Sequence, residues 1–142
     1  MPKVFLDSNV IVYAFTDDRR SVVAEGLLAS GGDLSVQVLN EFANVARRKL
    51  AFDWVQFEDA LSAIRALARA IHPLDLEIHS GALIVAQRYG FSFYDALIVS
   101  SALRARCDTL YSEDMQDGLV VEGRLQIVNP FMDRTPKSGS SI

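Results

Sequence analysis

Short apolar runs alternating with amphipathic helical segments are the feature that most restricts the fold of this chain. Val4-Phe5-Leu6 is unbroken and apolar and is closed by Asp7, a pattern typical of a strand covered on both faces in a parallel sheet. Four similar short runs follow, at 34–36, 71–74, 109–111 and 125–128. The alternation predicts an α/β fold, a three-layer α/β/α sandwich with a mostly parallel central sheet of about five strands.

Apolar residues at helical spacing occupy the segments between these runs. The predicted helices cover about Val10–Phe15, Ser21–Ala29, Val38–Lys49, Trp54–Arg69, Leu76–Tyr89 and Asp95–Cys107. Ser8 or Asn9 is expected to cap the first of them.

Length and composition indicate one domain. At 142 residues, half of them apolar, the chain can bury one core and is too short for two ordinary domains. We expect this domain to span residues 1–131. The segment 132–142 is expected to be a disordered tail, because it becomes small and polar from Pro136 onward.

Charge and cysteine content narrow the function classes. The net charge of −4 argues against coating nucleic acid through bulk electrostatics, so any such contact must be local. Cys107 is the single cysteine, which excludes an intrachain disulfide and fits a reducing cytoplasm. No apolar stretch reaches the ~20 residues of a membrane span, and Asp7 comes too early for a signal peptide. We therefore expect a cytosolic protein without membrane contact.

Four acids are candidates for the chemistry. Asp7 and Asp114 follow predicted strands, where the ligand crevice of an open parallel α/β sheet lies. Asp95 opens an apolar helix, and Glu41 lies on the apolar stripe of its helix, where an unpaired carboxylate is costly. Each has a structural alternative: a helix cap for Asp7 or Asp95, a solvated turn for Asp114, and an arginine pair for Glu41.

The combination of these acids favours a metal site. Two carboxylates ~5 Å apart repel by about 3 kcal/mol at an effective dielectric of ~20, so four together need protons or cations. Oxygen ligands alone select a hard ion, Mg²⁺ or Mn²⁺, whereas zinc normally recruits histidine or cysteine. His72 and His79 lie in different predicted elements and are expected to be structural.

Four passages of the chain resemble the PIN-domain family, and within it the toxin ribonucleases of bacterial VapBC-type toxin–antitoxin pairs. They are Phe5–Ala14, Leu39–Phe42, Phe93–Ile98 and Leu110–Gly118. Their order and spacing carry the resemblance, which runs from about Lys3 to Phe131.

This resemblance implies a metal-dependent endoribonuclease using Mg²⁺ or Mn²⁺. The implied catalytic acids are Asp7, Glu41, Asp95 and Asp114, and the implied metal ligands are Asp7, Asp95, Asp114 and, as a supplementary acid, Asp117. Glu41 would ligate through water or accept its proton. The implied partners are an RNA substrate, a second copy in a homodimer and a small antitoxin protein.

The same resemblance assigns supporting roles to polar neighbours of the acids. Asn9 and Ser112 would hydrogen bond to the metal-site acids. Glu113 leaves open which acid of the pair 113–114 faces the site, and Asp114 is preferred because it comes two residues after Ser112.

Basic and aromatic residues near these acids are candidates for contact with RNA. Arg47, Arg48 and Lys49 follow Glu41 along its helix and are placed to grip phosphates. The structural alternative is favourable positive charge in the last turn of that helix. Tyr13 is a candidate for base stacking.

Three other functions fit parts of the pattern. A PIN fold without catalysis would act only as a binding partner. A receiver-type signalling module would use Asp75 as phosphoacceptor, but 128–131 contains no lysine after the last strand. A phosphatase with Asp7 as nucleophile would usually carry a second aspartate where this chain has Asn9.

Overall fold

The sheet is built from six short strands within residues 2–132, the part of the chain that the computed structural model describes. The strands are β1 (Val4–Leu6), β2 (Asp33–Ser35), β3 (Ala70–His72), β4 (Thr109–Tyr111), β5 (Val120–Val121) and β6 (Leu125–Val128). Their order across the sheet is β3-β2-β1-β4-β6-β5. All neighbouring pairs are parallel except β5 and β6. The mostly parallel α/β fold predicted from the sequence is confirmed.

Six helices connect the strands in the described residues. They are α1 (Ser8–Ala14), α2 (Ser21–Ala29), α3 (Val36–Arg48), α4 (Trp54–Leu67), α5 (Leu76–Tyr89) and α6 (Phe93–Arg104). None of the helices in residues 2–132 is long and apolar enough to cross a membrane.

Strands β1 and β4 bring the chain segments that follow them to one edge of the sheet. Leu6 pairs with Tyr111 in parallel register. The backbone then continues in step, because the Asp7 amide donates to the Tyr111 carbonyl over 3.0 Å. The Ser112 amide likewise donates to Val128 over 3.0 Å, which ties the same edge to β6. Residues directly after β1 and β4 therefore lie side by side.

Several predicted boundaries were wrong, and capping side chains explain most of the differences. Strand β2 ends at Ser35 because its hydroxyl accepts the Val38 amide and starts α3. Helix α1 is capped by Asp7, not by Ser8 or Asn9. Helix α6 begins at Phe93 rather than Asp95, because Ser92 is its N-cap.

Other differences concern short or frayed segments. The sequence prediction missed β5, a two-residue strand, and it extended strand three through Leu74, helix four to Arg69 and helix six to Cys107. The tail predicted at 132–142 lies, apart from Met132, outside the described residues.

The core is formed by apolar side chains of the strands and of the helices that pack on them. The largest fully buried members include Phe5, Phe42, Ile98, Leu110 and Ile127. Burial of each such side chain stabilises the fold by roughly 1.5–3 kcal/mol.

Helices α5 and α6 approach each other closely at Gly81. A Cβ at Gly81 would lie 2.5 Å from the hydroxyl of Ser100, which itself donates to the Ile78 carbonyl over 3.0 Å. The absent side chain at Gly81 therefore allows α6 to dock. Ser101, the next residue on α6, has a buried hydroxyl without a hydrogen-bond partner among the described residues.

A buried ion pair joins β2 to β3. The fully buried Asp33 accepts hydrogen bonds from Arg69 over 2.7 and 2.8 Å, and its Oδ2 lies 2.8 Å from Nε2 of His72. Burial raises the pKa of Asp33, but the bonds to Arg69 and His72 outweigh it and hold that pKa below its usual value.

His79 packs edge to face on Phe93 at 5.2 Å.

Candidate acidic site at the carboxyl ends of the strands

Asp7 is the most deeply placed carboxylate at this edge, with 2% of its surface exposed. Its Oδ1 accepts the Ser8 amide over 2.7 Å, which caps α1. Its Oδ2 accepts the Ser112 hydroxyl over 2.7 Å and the Asn9 side-chain amide over 3.2 Å. Donors from three residues therefore surround a carboxylate that has almost no contact with solvent.

Burial raises the pKa of Asp7 to about 7. The hydrogen bonds from Ser112 and Ser8 lower it, whereas the negative charges of Asp95 and Glu41 raise it further. Near neutral pH this carboxyl therefore takes up a proton readily unless a positive charge stabilises its ionised form.

Asn9 links Asp7 to Asp114. Its Nδ2 lies 3.2 Å from Oδ2 of Asp7 and 3.2 Å from Oδ2 of Asp114. Its Oδ1 accepts the Glu113 amide over 3.1 Å. Ser112 supports the same loop, because its hydroxyl oxygen accepts the Asp114 amide over 3.3 Å. The two residues thus fix the loop after β4 against Asp7.

Glu113 and Asp114 point to different partners. Glu113 accepts the Tyr13 hydroxyl over 2.6 Å and the Arg20 guanidinium over 2.8 Å. Asp114 is exposed and shares the Asn9 amide with Asp7. Asp114 is therefore the acid of this pair that adjoins Asp7.

Glu41 reaches the site from α3 and is held by two neutral donors. Its Oε1 accepts the Ser8 hydroxyl over 2.7 Å, and its Oε2 accepts the Gln37 side-chain amide over 3.0 Å. Sequence reasoning missed both donors. Gln37 could have been found, because it precedes Glu41 by one helical turn, four residues.

Asp95 lies half-buried in the first turn of α6, and it is not the cap of that helix. Ser92 takes the capping role and accepts the Asp95 amide over 3.3 Å. Burial raises the pKa of Asp95, and the charges of Glu41 and Asp114 raise it further. Asp7, Glu41, Asp95 and Asp114 are thus one electrostatically coupled group, which we call the acidic cluster.

Asp117 lies further along the loop after β4. Its Oδ1 accepts the Asn129 amide over 2.7 Å and so fastens this loop to the chain that leaves β6. Its role as a supplementary metal ligand stays a prediction.

The acidic cluster fits a hard cation by its donor type and its shared negative charge, since every donor is a carboxylate oxygen. In the geometry of residues 2–132, no three acidic, histidine or cysteine side chains converge closely enough to hold one ion as they stand. Asp114 is exposed, and Glu41 and Asp95 are partly exposed. Binding of an ion would therefore require these exposed or partly exposed side chains to move closer together.

The three basic residues after Glu41 differ in their surroundings. Arg47 donates to the Phe52 carbonyl, and its guanidinium lies 3.9 Å from the centre of the Trp54 ring. Arg48 is exposed. Lys49 instead lines a pocket beside Asp114. Lys49 is exposed as well, but it is the member of the group that shares a pocket with a residue of the acidic cluster.

That pocket has a volume of about 380 Å³ and adjoins the acidic cluster. Its walls come from α1, the α1–α2 connection, the end of α3 and the loop after β4. The lining residues are Ser8, Asn9, Val12, Tyr13, Thr16, Asp17, Asp18, Val45, Lys49, Leu50 and Asp114.

A family model decides the relationship of this chain to known proteins. The model of the PIN domain matches residues 4–116, which include the acidic cluster. The chain belongs to the PIN domain family. The resemblance noted in the sequence is thereby confirmed, whereas no curated protein sequence matches the chain.

Solved structures of toxin–antitoxin proteins share the fold. A toxin–antitoxin complex from Klebsiella pneumoniae has a TM-score of 0.71 at 19% identity, covering 91% of this chain and 98% of that one. VapBC2 from Rickettsia felis, bound to a promoter DNA fragment, gives 0.62 at 19% identity, with coverages of 89% and 98%. VapC20 of Mycobacterium tuberculosis, a sarcin-ricin loop cleaving toxin, gives 0.60 at 20% identity, with coverages of 79% and 90%.

The PIN fold also removes the receiver-type alternative. Asp75, the phosphoacceptor which that reading requires, follows the edge strand β3. Its carboxylate caps α5 by accepting the Ile78 amide, and it forms an ion pair with Arg104 over 2.9 Å. Asp75 is therefore a structural residue of this PIN domain.

Proposed function

We propose that this PIN domain is a metal-dependent endoribonuclease and the toxin of a toxin–antitoxin pair. The observation that carries the proposal is the acidic cluster, in which acids from four separate chain segments are coupled around the buried Asp7. Independent helix caps or solvated turns need not converge in this way. Membership of the PIN family supports the proposal.

Asp7, Asp95 and Asp114 would hold Mg²⁺ or Mn²⁺, with Asp117 as a supplementary ligand. Such an ion would supply positive charge for the phosphodiester and lower the pKa of a water that attacks phosphorus. Its charge would also keep Asp7 ionised, against the burial that raises the pKa of this group.

The polar neighbours of the acids orient them. Asn9 and Ser112 hold Asp7 and Asp114 through the bonds described above. Ser8 and Gln37 fix both oxygens of Glu41, which is placed to orient the attacking water or to accept its proton. Because Asp7 and Glu41 are bound before substrate arrives, these two side chains need little reorganisation in the reaction.

RNA would approach over the exposed side of the acidic cluster. The net charge of −4 gives little general attraction for phosphates, so local cations must position the strand. Lys49 and Arg48 are the candidates for that role. Arg47 is occupied by Trp54 and Phe52, and Tyr13 is occupied by Glu113 and Arg20.

The proposed partners are a small antitoxin that blocks the acidic cluster and a second copy of the chain, in the cytoplasm. Similarity of fold to a Klebsiella pneumoniae toxin–antitoxin complex and to a Rickettsia felis VapBC2 complex supports the antitoxin.

Cleavage of RNA by three purified proteins tests the proposal. Wild type, Asp7→Asn and Asp95→Asn are compared with Mg²⁺, with Mn²⁺ and with chelator, and Asp59→Asn is the matched control because Asp59 is an exposed acid of α4. We expect cleavage by wild type and the control with metal, and a loss of at least about 100-fold in both cluster variants. Equal cleavage by all proteins, or cleavage in chelator, would overturn it.

A further inference from the structure

The pocket beside the acidic cluster has two chemically distinct regions. Val12, Val45 and Leu50 supply apolar surface, while Asp17 and Lys49 contribute opposite charges. It also borders Asp114 of the acidic cluster. We call it the side pocket. Nothing in the function proposed above uses this combination.

We propose that the side pocket binds the base of an unpaired nucleotide next to the cleaved phosphate and prefers guanine. This inference rests on the proposed ribonuclease function and names the determinant of its substrate choice.

The position of the side pocket supports this assignment. Asn9 and Asp114 belong both to its lining and to the acidic site, so a base in the pocket places its own phosphate at the acids. Lys49 lies on the lining as well, where its ammonium group complements that phosphate. A volume of about 380 Å³ falls in the range of pockets that take small organic groups.

The apolar surface selects an unpaired base. The faces of nucleobases pack well on apolar and aromatic side chains, and Val12, Val45 and Leu50 offer such a surface. A base within a duplex is stacked on both faces and cannot enter a side pocket unless it is flipped out. Single-stranded segments and loops are therefore the expected targets.

The polar end of the side pocket presents acceptors. The hydroxyl of Thr16 donates to the Tyr13 carbonyl over 3.2 Å, so its oxygen takes part in any further hydrogen bond as an acceptor. Asp18 is held by Arg20 over 2.8 Å, and Asp17 is exposed beside it. Carboxylates only accept hydrogen bonds when ionised. This end therefore recognises a base edge rich in donors.

Guanine matches these acceptors best, because it offers two neighbouring donors, N1–H and the N2 amino group, to one carboxylate. Uracil offers a single N–H donor, and inosine lacks the N2 amino group. A cationic peptide side chain would also be drawn to Asp17. Three acids against one lysine on this lining would attract such a cation, so an arginine amide is the competing ligand in the test below.

Binding of neutral nucleosides to the wild-type chain in chelator tests the side pocket apart from catalysis. Methyl signals of Val12, Val45 and Leu50 are followed by NMR during titration with guanosine, inosine and uridine. We expect guanosine to bind about tenfold more tightly than uridine, as one or two net hydrogen bonds allow, with inosine between them. Asp17→Asn should lower guanosine affinity about tenfold, and Asp59→Asn should not change it.

Three results would overturn the side-pocket assignment: no shift of these methyl signals by any nucleoside, equal affinities for guanosine and uridine, or tighter binding of an arginine amide than of guanosine. Val45→Trp, which fills the pocket, should abolish the shifts of Val12 and Leu50. If Val45→Trp does not fold, the affinity of Asp17→Asn for guanosine still decides the test.

Cleavage of unstructured RNA oligomers with one guanosine separates this inference from the ribonuclease proposal. Nucleoside binding without any metal-dependent cleavage would refute the nuclease and leave the side pocket standing as a binding site. Cleavage at all positions with equal rates would refute the base preference and leave the nuclease standing. We expect cuts next to the guanosine, with a preference that Asp17→Asn reduces.

Discussion

The hydroxyl of Tyr13 donates to Oε1 of Glu113 over 2.6 Å and so joins α1 to the loop that carries Asp114. Arg20 binds the other oxygen of Glu113 and lies 4.2 Å from the centre of the Tyr13 ring. Burial, reinforced by Glu113, raises the pKa of Tyr13 to about 12. The phenol therefore remains a donor throughout the physiological pH range.

Tyr13→Phe should lower the free energy of unfolding by about 1 kcal/mol, because a partly buried carboxylate loses a donor while Arg20 keeps the second oxygen occupied. Urea denaturation at pH 7 measures this change. Tyr94→Phe is the control, since Tyr94 is 64% exposed and should be neutral. Unchanged stability of Tyr13→Phe would show that this contact contributes nothing.

Between pH 4 and pH 8, Asp7→Asn should gain roughly 4 kcal/mol of stability relative to the metal-free wild type. The pKa of Asp7 in the folded chain, about 7, exceeds the ordinary value of 3.8, so folding favours the protonated acid. The stability that this proton gives is complete below about pH 4 and is lost as the pH rises to 7. The advantage of the variant should therefore grow between those values and level off above.

Urea denaturation in chelator from pH 4.5 to 8.5 measures this advantage, with Asp59→Asn as the control that should follow wild type at every pH. A difference between Asp7→Asn and wild type that does not vary with pH would contradict the raised pKa of Asp7.

Millimolar Mn²⁺ should raise the melting temperature of wild type, because an ion that binds only the folded state stabilises it by about 2.7 kcal/mol at 100 times its dissociation constant. The shift should be larger at pH 8 than at pH 6, where protons compete for Asp7. Differential scanning fluorimetry measures it. We expect less than half the shift in Asp95→Asn and the full shift in Asp59→Asn; equal shifts in all three would place the ion elsewhere.

Lys49→Ala should change the binding of RNA, whereas Arg47→Ala should change the stability of the fold. Lys49→Ala should weaken binding of single-stranded RNA and reduce the slope of log affinity against log salt by about 0.7, the value for one lost phosphate contact. Arg47→Ala should leave that slope unchanged and lower stability by about 0.5–1 kcal/mol through the lost contact with Trp54. Fluorescence anisotropy, performed in the Asp95→Asn background to prevent cleavage, decides between them.

Ser101→Ala should be neutral or stabilising by up to about 1 kcal/mol, since its buried hydroxyl lacks a partner among the described residues. Ser100→Ala is the matched comparison on the same helix and should destabilise by about 1 kcal/mol, because the Ile78 carbonyl loses the additional hydrogen bond from that hydroxyl. Thermal melting of both variants measures this contrast. The reverse order would refute the assigned hydrogen bonding.

Sequence patterns predict a parallel strand most clearly where a short apolar run ends in polar residues, as Leu6 followed by Asp7 illustrates. They failed for β5, where two residues between glycine-containing turns carry no periodicity. They also misplaced the start of α6, since both Ser92 and Asp95 are good capping residues and tertiary packing decides between them.

Within the site, the sequence indicated the acids that we propose as a metal site but not how each side chain is held. Glu113 turns away from Asp7 because Tyr13 and Arg20, about a hundred residues earlier, bind it. Arg47 turns toward Trp54 because the chain after α3 folds back on itself. The contacts of Glu113 join residues far apart in the sequence, and the contact between Arg47 and Trp54 spans the turn between two helices, so neither leaves a local pattern.

One oxygen of Asp7 begins helix α1, while the other accepts hydrogen bonds from Ser112 and from Asn9, which also binds Asp114. Asp7→Ala would therefore remove the N-cap of α1 as well as the carboxylate of the acidic cluster. A loss of activity in that variant would combine a structural defect with a catalytic one. Asparagine keeps the helical start, so a substrate-trapping form of this protein should be built on that replacement.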